Sequence, residues 1–574
     1  MRLLQIFIIS SFLLLVFISF FKPITAWTQD LGRHIKTGEI ILINQSVPRT
    51  NLFSYTYPDY RFINTHWLSG VLFFLIHNYM GETTLLIIMS IIATCGFGII
   101  FIKPLRLLPI NPTPLFIFLG ILYFQFIQER TDLRPELFSF FIFSIYLAVL
   151  YAFRKKVTRK IFLLIPLQLL WVNLHIYFVI GIITIFLFFL EALWQDRNYI
   201  KNGVINSSIR IFILVLFLSS IVCIINPNGI DGALYPFFVL NNYGYSIQEN
   251  QNILFLWNYS HSSNIMYFCI TIFVLLISFV SNFHKLRIID ILLSIFFIYL
   301  GATTIRNLPL FALATFPAIV YNFNFITEYS YYKKKLFLLC IFSLFLILYN
   351  IYSLFYSHNK IITDNGAKNA VDFYLKNGVN GPIFNNFDIG SYLDYRLYPK
   401  EKVFVDSRPE AYPSSFFQEI YIPMQQEEKK FEEMQKKYNI NTIFFAHTDQ
   451  TPWASTFLYY IMNNDNWRVI YLDEYAVILV RNIVANQNLI KLSPQKNNMA
   501  TIYNLDYISE VSLLQIARLF KVVAWNDREK DIYKIILFVN PQSCIALYNL
   551  YLSLSKTDNI SAGIYLYKYQ SFCK

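Results

Sequence analysis

Three side chains with catalytic chemistry follow the first apolar run of the sequence. Residues 26–38 read Ala-Trp-Thr-Gln-Asp-Leu-Gly-Arg-His-Ile-Lys-Thr-Gly. On a helix, Asp30, Arg33 and His34 stand at i, i+3 and i+4 and lie side by side. A carboxylate can accept a proton, a guanidinium can bind phosphate, and an imidazole can orient either partner. The pattern indicates part of a catalytic site, with Asp30 and His34 as the catalytic candidates. The alternative is a helix whose polar residues only face water.

The same segment has the apolar spacing of a short helix at a membrane surface. Trp27, Leu31 and Ile35 stand at i, i+4 and i+8, which places them on one face. We predict Thr28 as the N-cap residue and Gly38 as the end of this helix.

The composition indicates a polytopic membrane protein. The chain has 574 residues, of which 56% are hydrophobic and only 14% charged, with a mean hydropathy of +0.45. A soluble domain carries about a quarter charged residues. The first apolar run, residues 3–21, ends in Phe-Phe-Lys-Pro and not at a small-residue cleavage site, so we interpret it as a retained anchor. We expect membrane lipid as a partner and no nucleic acid.

About eleven apolar runs are long enough to span a bilayer. They are residues 3–21, 84–102, 113–128, 135–153, 161–175, 177–194, 209–226, 264–282, 288–304, 307–322 and 335–354. Residues 67–80 are apolar but short, and we predict a second helix in the interface there. With the N-terminus inside, the cationic segments 154–160 and 333–335 face the cytoplasm, and the loop 228–264, which has no Lys or Arg, faces outward.

Ionisable side chains gather at the outer ends of these runs, where charged groups are costly and tend to mark sites. Arg134 and Arg306 are candidates for holding the phosphate of a sugar donor, because guanidinium binds phosphate through two nitrogen atoms. His66, His175 and Asp132 are candidates for orienting substrates. The alternative for each is local pairing. No spacing typical of a metal site occurs, so we expect neither metal nor cofactor, although these histidines have the chemistry to hold a divalent metal.

The composition divides the chain into three predicted domains. These are a membrane domain at 1–355 with an interfacial first outer loop at 22–83, a soluble α/β domain at 356–485, and a helical tail at 486–574. Because an odd number of spans precedes it, the α/β domain should lie outside the cytoplasm. Its predicted elements are helices at 367–376, 390–396, 414–421, 426–438 and 453–462, strands at 382–385, 402–406 and 441–446, and a hairpin at 467–480.

Polar residues just beyond the predicted strands of the α/β domain are candidates for binding an acceptor, since such positions line ligand crevices. They are Asp406, Arg408 and Glu410. The alternative is a structural Asp–Arg pair that closes a turn. In the tail, residues 541–568 vaguely resemble a tetratricopeptide helix pair, which predicts a site for a protein partner. A Cys544–Cys573 disulfide is possible, but the spacing does not require it.

The order of these features resembles the GT-C superfamily of polytopic glycosyltransferases, which use polyprenyl-phosphate sugars. The features are an anchor helix, Asp30-Leu-Gly-Arg-His-Ile on an outer interfacial helix, and His66-Trp67 opening a second such helix. Asp30 stands where the superfamily has its first-loop carboxylate. His66 stands where many members begin the motif His-Pro-Pro-Leu, but this chain has His66-Trp67-Leu68-Ser69 and lacks the prolines. Many members also have two adjacent acids in the first loop, whereas Leu31 follows Asp30.

The resemblance implies an enzyme of the bacterial inner membrane that moves a sugar from a polyprenyl-phosphate donor to a glycan, lipid or protein on the outer face. Two alternatives are a transporter or flippase of lipid-linked sugars and a non-catalytic scaffold of envelope assembly. The enzyme hypothesis requires Asp30, Arg134, His175 and Arg306 to converge, because acid–base and phosphate-binding groups must act on one substrate.

Overall fold

The computed structural model describes residues 2–21, 30–106, 113–128, 130–155, 157–202, 206–238, 243–260, 263–323, 342, 344–354, 366–492, 509–555 and 558–573. The predicted N-cap residue Thr28 and the apolar Trp27 lie outside these ranges.

Apolar helices with short connections build the described part of the N-terminal region. They are α1 (Arg2–Phe20), α2 (Leu31–Asn44), α3 (Trp67–Met80), α4 (Glu82–Arg106), α5 (Thr113–Gln128), α6 (Glu136–Phe153), α7 (Leu164–Leu174), α8 (Phe178–Gln195), α9 (Arg197–Lys201), α10 (Ser207–Val222), α11 (Gly229–Leu234), α12 (Ile253–Ser260), α13 (Ser263–Ser281), α14 (Ile288–Thr303), α15 (Leu308–Asn322) and α16 (Leu344–Leu354). Helices satisfy their own backbone groups, which is what a chain inside a bilayer must do.

Four helices of the described ranges are long and apolar enough to cross a membrane by themselves. They are Glu82–Phe101, Glu136–Phe153, Phe178–Gln195 and Asn264–Ser281. Further apolar helices are shorter, among them Ser207–Val222 and Ile288–Thr303. The structure therefore supports a helical membrane domain, but it does not confirm the predicted number of eleven spans.

Helix α15 is the centre of the membrane domain, since nearly all of its side chains are buried. Phe316 stacks on Phe101 of α4 with ring centroids 4.2 Å apart, and Thr315 shares a 3.0 Å hydrogen bond with the Tyr123 hydroxyl of α5. Arg306 lies in the turn that leads into α15. The best-packed helix of the domain thus fixes one of the predicted phosphate-binding residues.

Helices α2 and α3 pack against each other in the segment predicted as the first outer loop. The prediction that the first of these helices ends at Gly38 is wrong, because α2 continues to Asn44. Gly38 instead lets the two backbones touch: a Cβ atom there would lie 2.1 Å from the Gly70 carbonyl oxygen. A Cβ on Gly70 would in turn lie 2.8 Å from the His34 carbonyl oxygen. This close approach fixes His34 against the start of α3.

A four-stranded sheet forms the core of the soluble part, in the order β1 (Ile383–Asn385), β2 (Thr442–Ala446), β4 (Ala476–Arg481) and β3 (Trp467–Leu472). Strands β1 and β2 are parallel and the other pairs are antiparallel. Along β2, Ile443 and Phe445 face one apolar core and Phe444 and Ala446 face another, as the alternation of a strand requires. Helices that accompany the sheet are α17 (Lys368–Lys376), α18 (Phe387–Leu397), α19 (Ile422–Gln426), α20 (Glu428–Lys437), α21 (Pro452–Met462) and α22 (Gln487–Ile490).

The predicted strand at 402–406 is wrong. This segment does not join the sheet but lies against the first outer loop, where Val403 and Phe53 pair through a 3.1 Å hydrogen bond from the Val403 amide. Ser54 donates a 3.0 Å hydrogen bond to the Phe404 carbonyl. The apolar run Val403–Val405 is buried by this contact between the membrane and soluble parts.

Four helices follow in the tail: α23 (Glu510–Val522), α24 (Asn526–Val539), α25 (Cys544–Leu554) and α26 (Asn559–Cys573). Leu513 and Ile516 of α23 belong to the same apolar core as Phe457 of α21. The tail is thus packed on the α/β unit. A disulfide joins Cys544 and Cys573, as the sequence allowed, and ties the start of α25 to the end of α26.

Candidate active site

The α2–α3 pair brings the first catalytic candidates together. Asp30 is the residue before α2, and its carboxylate lies 3.5 Å from the Arg33 guanidinium one turn later. His34 is buried on the next position of the same face, and its ring lies 5.6 Å from that of His66. His66 precedes the first residue of α3. Asp30, Arg33 and His34 are therefore close together in space, as their spacing in the sequence predicted.

A third imidazole extends this row. The rings of His66 and His175 lie 4.9 Å apart. Ser139 accepts a 2.8 Å hydrogen bond from the Trp171 indole, so its own hydroxyl proton is free to go to Nδ1 of His175, 2.8 Å away. We infer that Nδ1 accepts and that Nε2 carries the proton of a neutral His175.

Burial and neighbouring cations hold the two histidines of the first loop neutral. Burial is the main cause that lowers the pKa of His66 to about 3, and Arg33 and Arg306 add to it. The pKa of His34 is well below its usual value for the same reason, with Arg33 and His66 contributing. Neutral imidazoles donate one hydrogen bond each without bringing charge.

Arg134 and Arg306 reach this cluster from distant parts of the chain. Arg134 interacts electrostatically with Asp30, and Arg306 interacts with His66 and His175. The structure therefore brings together the four residues that the enzyme hypothesis needs. We call Asp30, His34, His66, Arg134, His175, Arg306 and Glu249 the polar cluster.

Glu249 joins the two arginines and is a residue that the sequence analysis missed. Its carboxylate lies 3.0 Å from Arg134 and 2.5 Å from Arg130. Burial would raise the pKa of Glu249, but these guanidinium groups, together with Arg306, lower it to about 2. The available signal was its place in an outer loop without Lys or Arg. Arg306, in the turn before α15, donates to the adjacent residue Asn250 over 3.0 Å, so it lies near the arginines of the segment before α6.

The carboxylate of Asp30 is held as an anion. Ser407 of the soluble part donates a hydrogen bond to Asp30 Oδ1. Burial would raise the pKa of Asp30, but Arg33, Arg134 and this hydrogen bond keep it well below the usual value. The side chain is 28% exposed, so its second oxygen is accessible.

A second carboxylate, Asp388, reaches the same place from the first turn of α18. Burial, with Asp449 and Asp30 nearby, raises the pKa of Asp388 to about 7. Asp388 keeps a water-accessible edge, whereas Phe387 and Ile389 beside it are buried. No sequence pattern predicts a role for Asp388, although it lies just beyond β1, where ligand crevices form.

Asp388 lies beside the carboxyl ends of the two parallel strands, β1 and β2. Asn386 after β1 accepts a 2.9 Å hydrogen bond from the Ala446 amide at the end of β2. The Asn386 amide donates to Asp449 over 3.1 Å. These bonds fix the loop that presents Asp388 towards Asp30.

Four buried donors around the polar cluster have no hydrogen-bond partner in the described part of the protein. They are the Nε atoms of Arg33, Arg134 and Arg306 and the hydroxyl of Tyr177. Buried donors are nearly always bonded, and exceptions tend to mark functional positions. Three of the four are cationic groups, so an anionic ligand suits them.

Asp406 and Arg408, predicted to bind an acceptor, form a buried ion pair. Two Arg408 nitrogens donate to the Asp406 carboxylate over 2.9 and 2.6 Å, and Arg408 also donates to Asn51 over 2.8 Å. Both side chains are fully buried, which favours the structural alternative of an Asp–Arg pair. Arg408 packs over Phe53 and Phe62 and so attaches the first outer loop to the soluble part.

Glu410 and Asp132 lie nearer the water. Glu410 is partly exposed and interacts with Arg33; burial is the main cause that raises its pKa. Asp132 lies 3.8 Å from Arg134 and is 32% exposed. Glu410 therefore faces the cluster from the soluble side, while Asp132 accompanies one of its arginines.

The described residues contain no group of three or more His, Cys, Asp or Glu side chains arranged to hold a metal ion. That no metal is needed remains a prediction. The rings of His34, His66 and His175 neighbour one another, and such neutral donors suit hydrogen bonding to an anion.

No protein-family model matches the sequence, and no curated protein matches it. Solved structures do match. One is the oligosaccharyltransferase of Archaeoglobus fulgidus tethered with an acceptor peptide containing the NVT sequon; it has a TM-score of 0.54 and 11% identity, over 81% of this chain and 72% of that one. The chain has the GT-C fold.

A second GT-C structure extends the likeness to almost the whole chain. It is the archaeal oligosaccharyltransferase AglB of the same organism in complex with an inhibitory peptide and a dolichol-phosphate. Its TM-score is 0.53 at 10% identity, over 97% of this chain and 86% of that one. The GT-C fold predicted from the sequence is confirmed, and it includes membrane helices followed by a soluble part.

Proposed function

We propose that this protein is a glycosyltransferase that moves a sugar from a polyprenyl-phosphate donor to an acceptor. The observation that carries the proposal is the convergence of Asp30 with Arg134 and Arg306, which come from three distant segments of the chain. A carboxylate beside cations with unbonded nitrogens is what transfer from a phosphate requires.

The donor phosphate is assigned to Arg306, His66 and His175. As the sugar leaves, the bond between its anomeric carbon and the phosphate oxygen breaks, and the electron pair stays on the phosphate. Arg306 neutralises the growing charge, and the two neutral imidazoles donate hydrogen bonds to it. Arg134, held by Glu249, adds a second positive charge on the same side.

The acceptor's oxygen or nitrogen attacks the anomeric carbon and must lose a proton. The sequence favoured Asp30 for accepting this proton, but its lowered pKa suits it better to remain an anion that orients the acceptor. A carboxyl group with a pKa near the working pH is a more efficient base, and Asp388 has that property. We assign proton removal to Asp388 and orientation to Asp30, with His34 beside it.

The acceptor is assigned to the soluble side of the cluster. Asp388 and Glu410 belong to that part and face Asp30 and Arg33 of the first loop. Asp406 and Arg408 hold the loop that carries Glu410. Whether a glycan, a lipid or a protein is the acceptor, it enters between the first loop and the soluble part.

We further propose that this reaction occurs on the outer face of a bacterial cytoplasmic membrane. The outer-loop residues of the charge-based topology are those of the polar cluster. The Cys544–Cys573 disulfide supports an extracytoplasmic soluble part, because disulfides persist in oxidising compartments.

Two alternative functions, a scaffold and a flippase, explain fewer of these structural observations. A scaffold would need no unbonded cationic donors, and a flippase would carry its ionisable groups near the bilayer midplane. Neither function explains why Asp388 lies near Asp30 with a raised pKa. A protein partner for the tail is compatible with all three functions.

Lipid analysis of cells tests the proposal. Cells without the protein should accumulate a prenyl-phosphate-linked sugar, and wild-type protein should remove it while Asp30→Asn protein does not. Normal membrane insertion and thermal stability of the Asp30→Asn variant are the control. Unchanged lipid-linked sugars in cells without the protein, or full rescue by Asp30→Asn, would contradict the proposal.

A further inference from the structure

Asp394 of α18 has a buried carboxyl group that the proposed reaction does not use. The residue is 1% exposed, and neither carboxyl oxygen has a hydrogen-bond partner among the residues that the structure describes. Buried polar groups are nearly always hydrogen-bonded, and an exception needs an explanation. Because an unpaired buried carboxyl group destabilises a fold, we expect Asp394 to gain a partner in another state of the protein.

Two close approaches hold Asp394 at the junction of α18, α2 and the loop that follows α18. A Cβ atom on Gly390, one turn before Asp394, would lie 2.2 Å from the Val405 carbonyl oxygen. A Cβ atom on Gly32 of α2 would lie 2.8 Å from the Cβ atom of Tyr395, the residue after Asp394. Helix α18 is therefore in direct contact with the loop on one side and with α2 on the other.

Four charged groups from these two neighbours interact electrostatically with Asp394. They are Asp30 and Arg33 beside it on α2, and Asp406 and Arg408 in the loop. Arg408 already has a carboxylate partner, because its Nε and Nη2 atoms donate to Asp406 over 2.9 and 2.6 Å. Of the two cations, Arg33 is therefore the one that can become the partner of Asp394.

The present contacts of Arg33 are weak. Its side chain is 10% exposed, and its buried Nε atom has no hydrogen-bond partner within the described ranges. Its Nη2 atom lies 3.5 Å from Asp30 Oδ1, whereas a charge-assisted hydrogen bond spans about 2.7–2.9 Å. The same Oδ1 atom already accepts a hydrogen bond from Ser407. An unbonded guanidinium nitrogen and an unbonded carboxyl group thus belong to neighbouring side chains.

We propose that Asp394 is a positioning residue that receives Arg33 during the reaction. When the acceptor binds to Asp30, the Arg33 guanidinium moves towards Asp394 and donates a hydrogen bond from Nε. A carboxyl oxygen accepts such a bond whether or not the group carries a proton. Arg33 then neutralises the Asp30 anion less, so Asp30 attracts the N–H or O–H of the acceptor more strongly. The inference rests on the proposed function and adds to it an exchange of ion-pair partners.

Thermal unfolding tests the exchange without any substrate. Asp30→Asn removes the anion that holds Arg33, so Arg33 should move to Asp394 in this background. Arg33→Gln, Asp394→Leu and the double variant of the full-length protein are melted in the wild-type and Asp30→Asn backgrounds. We expect additive melting-temperature shifts in the wild-type background. In the Asp30→Asn background, the double variant should lose about 2 °C less than the sum of the single variants. Any other pattern, including equal coupling in both backgrounds, would overturn the inference.

Kinetics with a prenyl-phosphate sugar test whether the exchange serves transfer. Asp394→Leu removes the acceptor oxygens and should lower kcat about tenfold, with the donor KM unchanged. Its melting temperature should not fall, because the carboxyl group has no partner to lose in the resting protein. Asp394→Asn keeps one acceptor oxygen and should recover most of the rate. A full rate in Asp394→Leu, a lower melting temperature, or an equal loss in Asp394→Asn would contradict the positioning role.

A matched control is the pair of Arg396 and Asp372, whose side chains lie 2.6 Å apart. Arg396 is also on α18, so Arg396→Gln and Asp372→Asn should leave kcat unchanged and show the same coupling in both backgrounds. The outcome is separable from that of the proposed function. Coupling confined to the Asp30→Asn background, without lipid-linked sugar accumulating in cells that lack the protein, would contradict the transferase and leave the exchange standing. Accumulation without that coupling would contradict the exchange alone.

Discussion

Ser407 of the soluble part donates a hydrogen bond to the carboxylate of Asp30, which precedes the first helix of the outer loop. The bond crosses from one part of the protein to the other and holds the central anion of the polar cluster. Ser391 of α18 shares a second hydrogen bond with Ser407. The soluble part is therefore a direct component of the proposed active site.

Ser407→Ala should lower transfer about tenfold, the effect of roughly 1.4 kcal/mol, because the Asp30 anion loses a hydrogen-bond donor. Rates of sugar transfer in purified membranes measure this. Ser571→Ala is the control, since Ser571 is exposed and bonds only to its own helix. Equal activity of the two variants would remove the role given to Ser407.

Asp388→Asn should lower transfer about 100-fold, the usual contribution of a general base. The wild-type rate should rise with pH through about 7, because the raised pKa leaves the carboxyl protonated below that value. The rate of Asp388→Asn should not show this step.

The same raised pKa has an opposite effect on stability. The folded protein binds a proton at Asp388 that the unfolded chain releases near pH 4, so stability from this group falls as pH rises towards 7. Asp388→Asn should therefore melt at a higher temperature than wild type at pH 8. Glu432→Gln, on the solvated face of α20, should change neither property; a pH step retained in Asp388→Asn would contradict the assignment.

Arg306→Gln should reduce kcat/KM about 100-fold, because a preorganised cation is lost where the phosphate charge grows. Arg306→Lys should recover part of the rate, since it keeps the charge but not the planar fork. Arg468→Gln, which removes an exposed arginine paired with Asp465, is the control and should be neutral. Kinetics with a prenyl-phosphate sugar measure all three; equal rates for Arg306→Gln and Arg468→Gln would exclude this phosphate site.

Gly38→Ala should destabilise the protein by about 1–3 kcal/mol, because the new methyl group collides with the Gly70 backbone. It should also lower activity by moving His34 away from His66. Gly563→Ala is a matched control, since a Cβ at that helical glycine meets no atom within 4 Å. Thermal unfolding measures both; similar melting temperatures would mean that α2 and α3 are farther apart.

Cys544→Ser should destabilise the tail by about 3 kcal/mol, because the disulfide closes a loop with a sequence separation of 29 residues. In intact cells, neither cysteine should react with a thiol reagent before reduction. Free thiols at both positions would argue against an oxidising compartment.

The sequence predicts which residues of the site are neighbours along one helix. It does not predict which distant segments of the chain meet there. The spacing of Asp30, Arg33 and His34 predicted their grouping because a helix imposes it. Arg306 was recognisable because a charged residue at the end of an apolar run is rare. Glu249 has only the weaker signal of its place in a loop without Lys or Arg, because its role depends on the arginines that folding brings to it.

Long-range pairing also explains the errors. Residues 402–406 have the composition of a strand, yet their partner is the loop around Phe53, which no local pattern reveals. Gly38 has the appearance of a helix end, and only the approach of Gly70 shows that it is a packing position. Helix and strand positions in the rest of the α/β unit follow from local periodicity, and the structure agrees with most of them.

The Ser407–Asp30 bond joins residues 377 positions apart, which has a consequence for biosynthesis. Asp30 leaves the ribosome early, together with the first anchor, whereas Ser407 arrives only after the preceding helices have been inserted. During that interval, Asp30 of the nascent chain lacks the hydrogen bond from Ser407. The enzyme can thus become competent only late in translation, once the soluble part has been synthesised and has packed against the start of the chain.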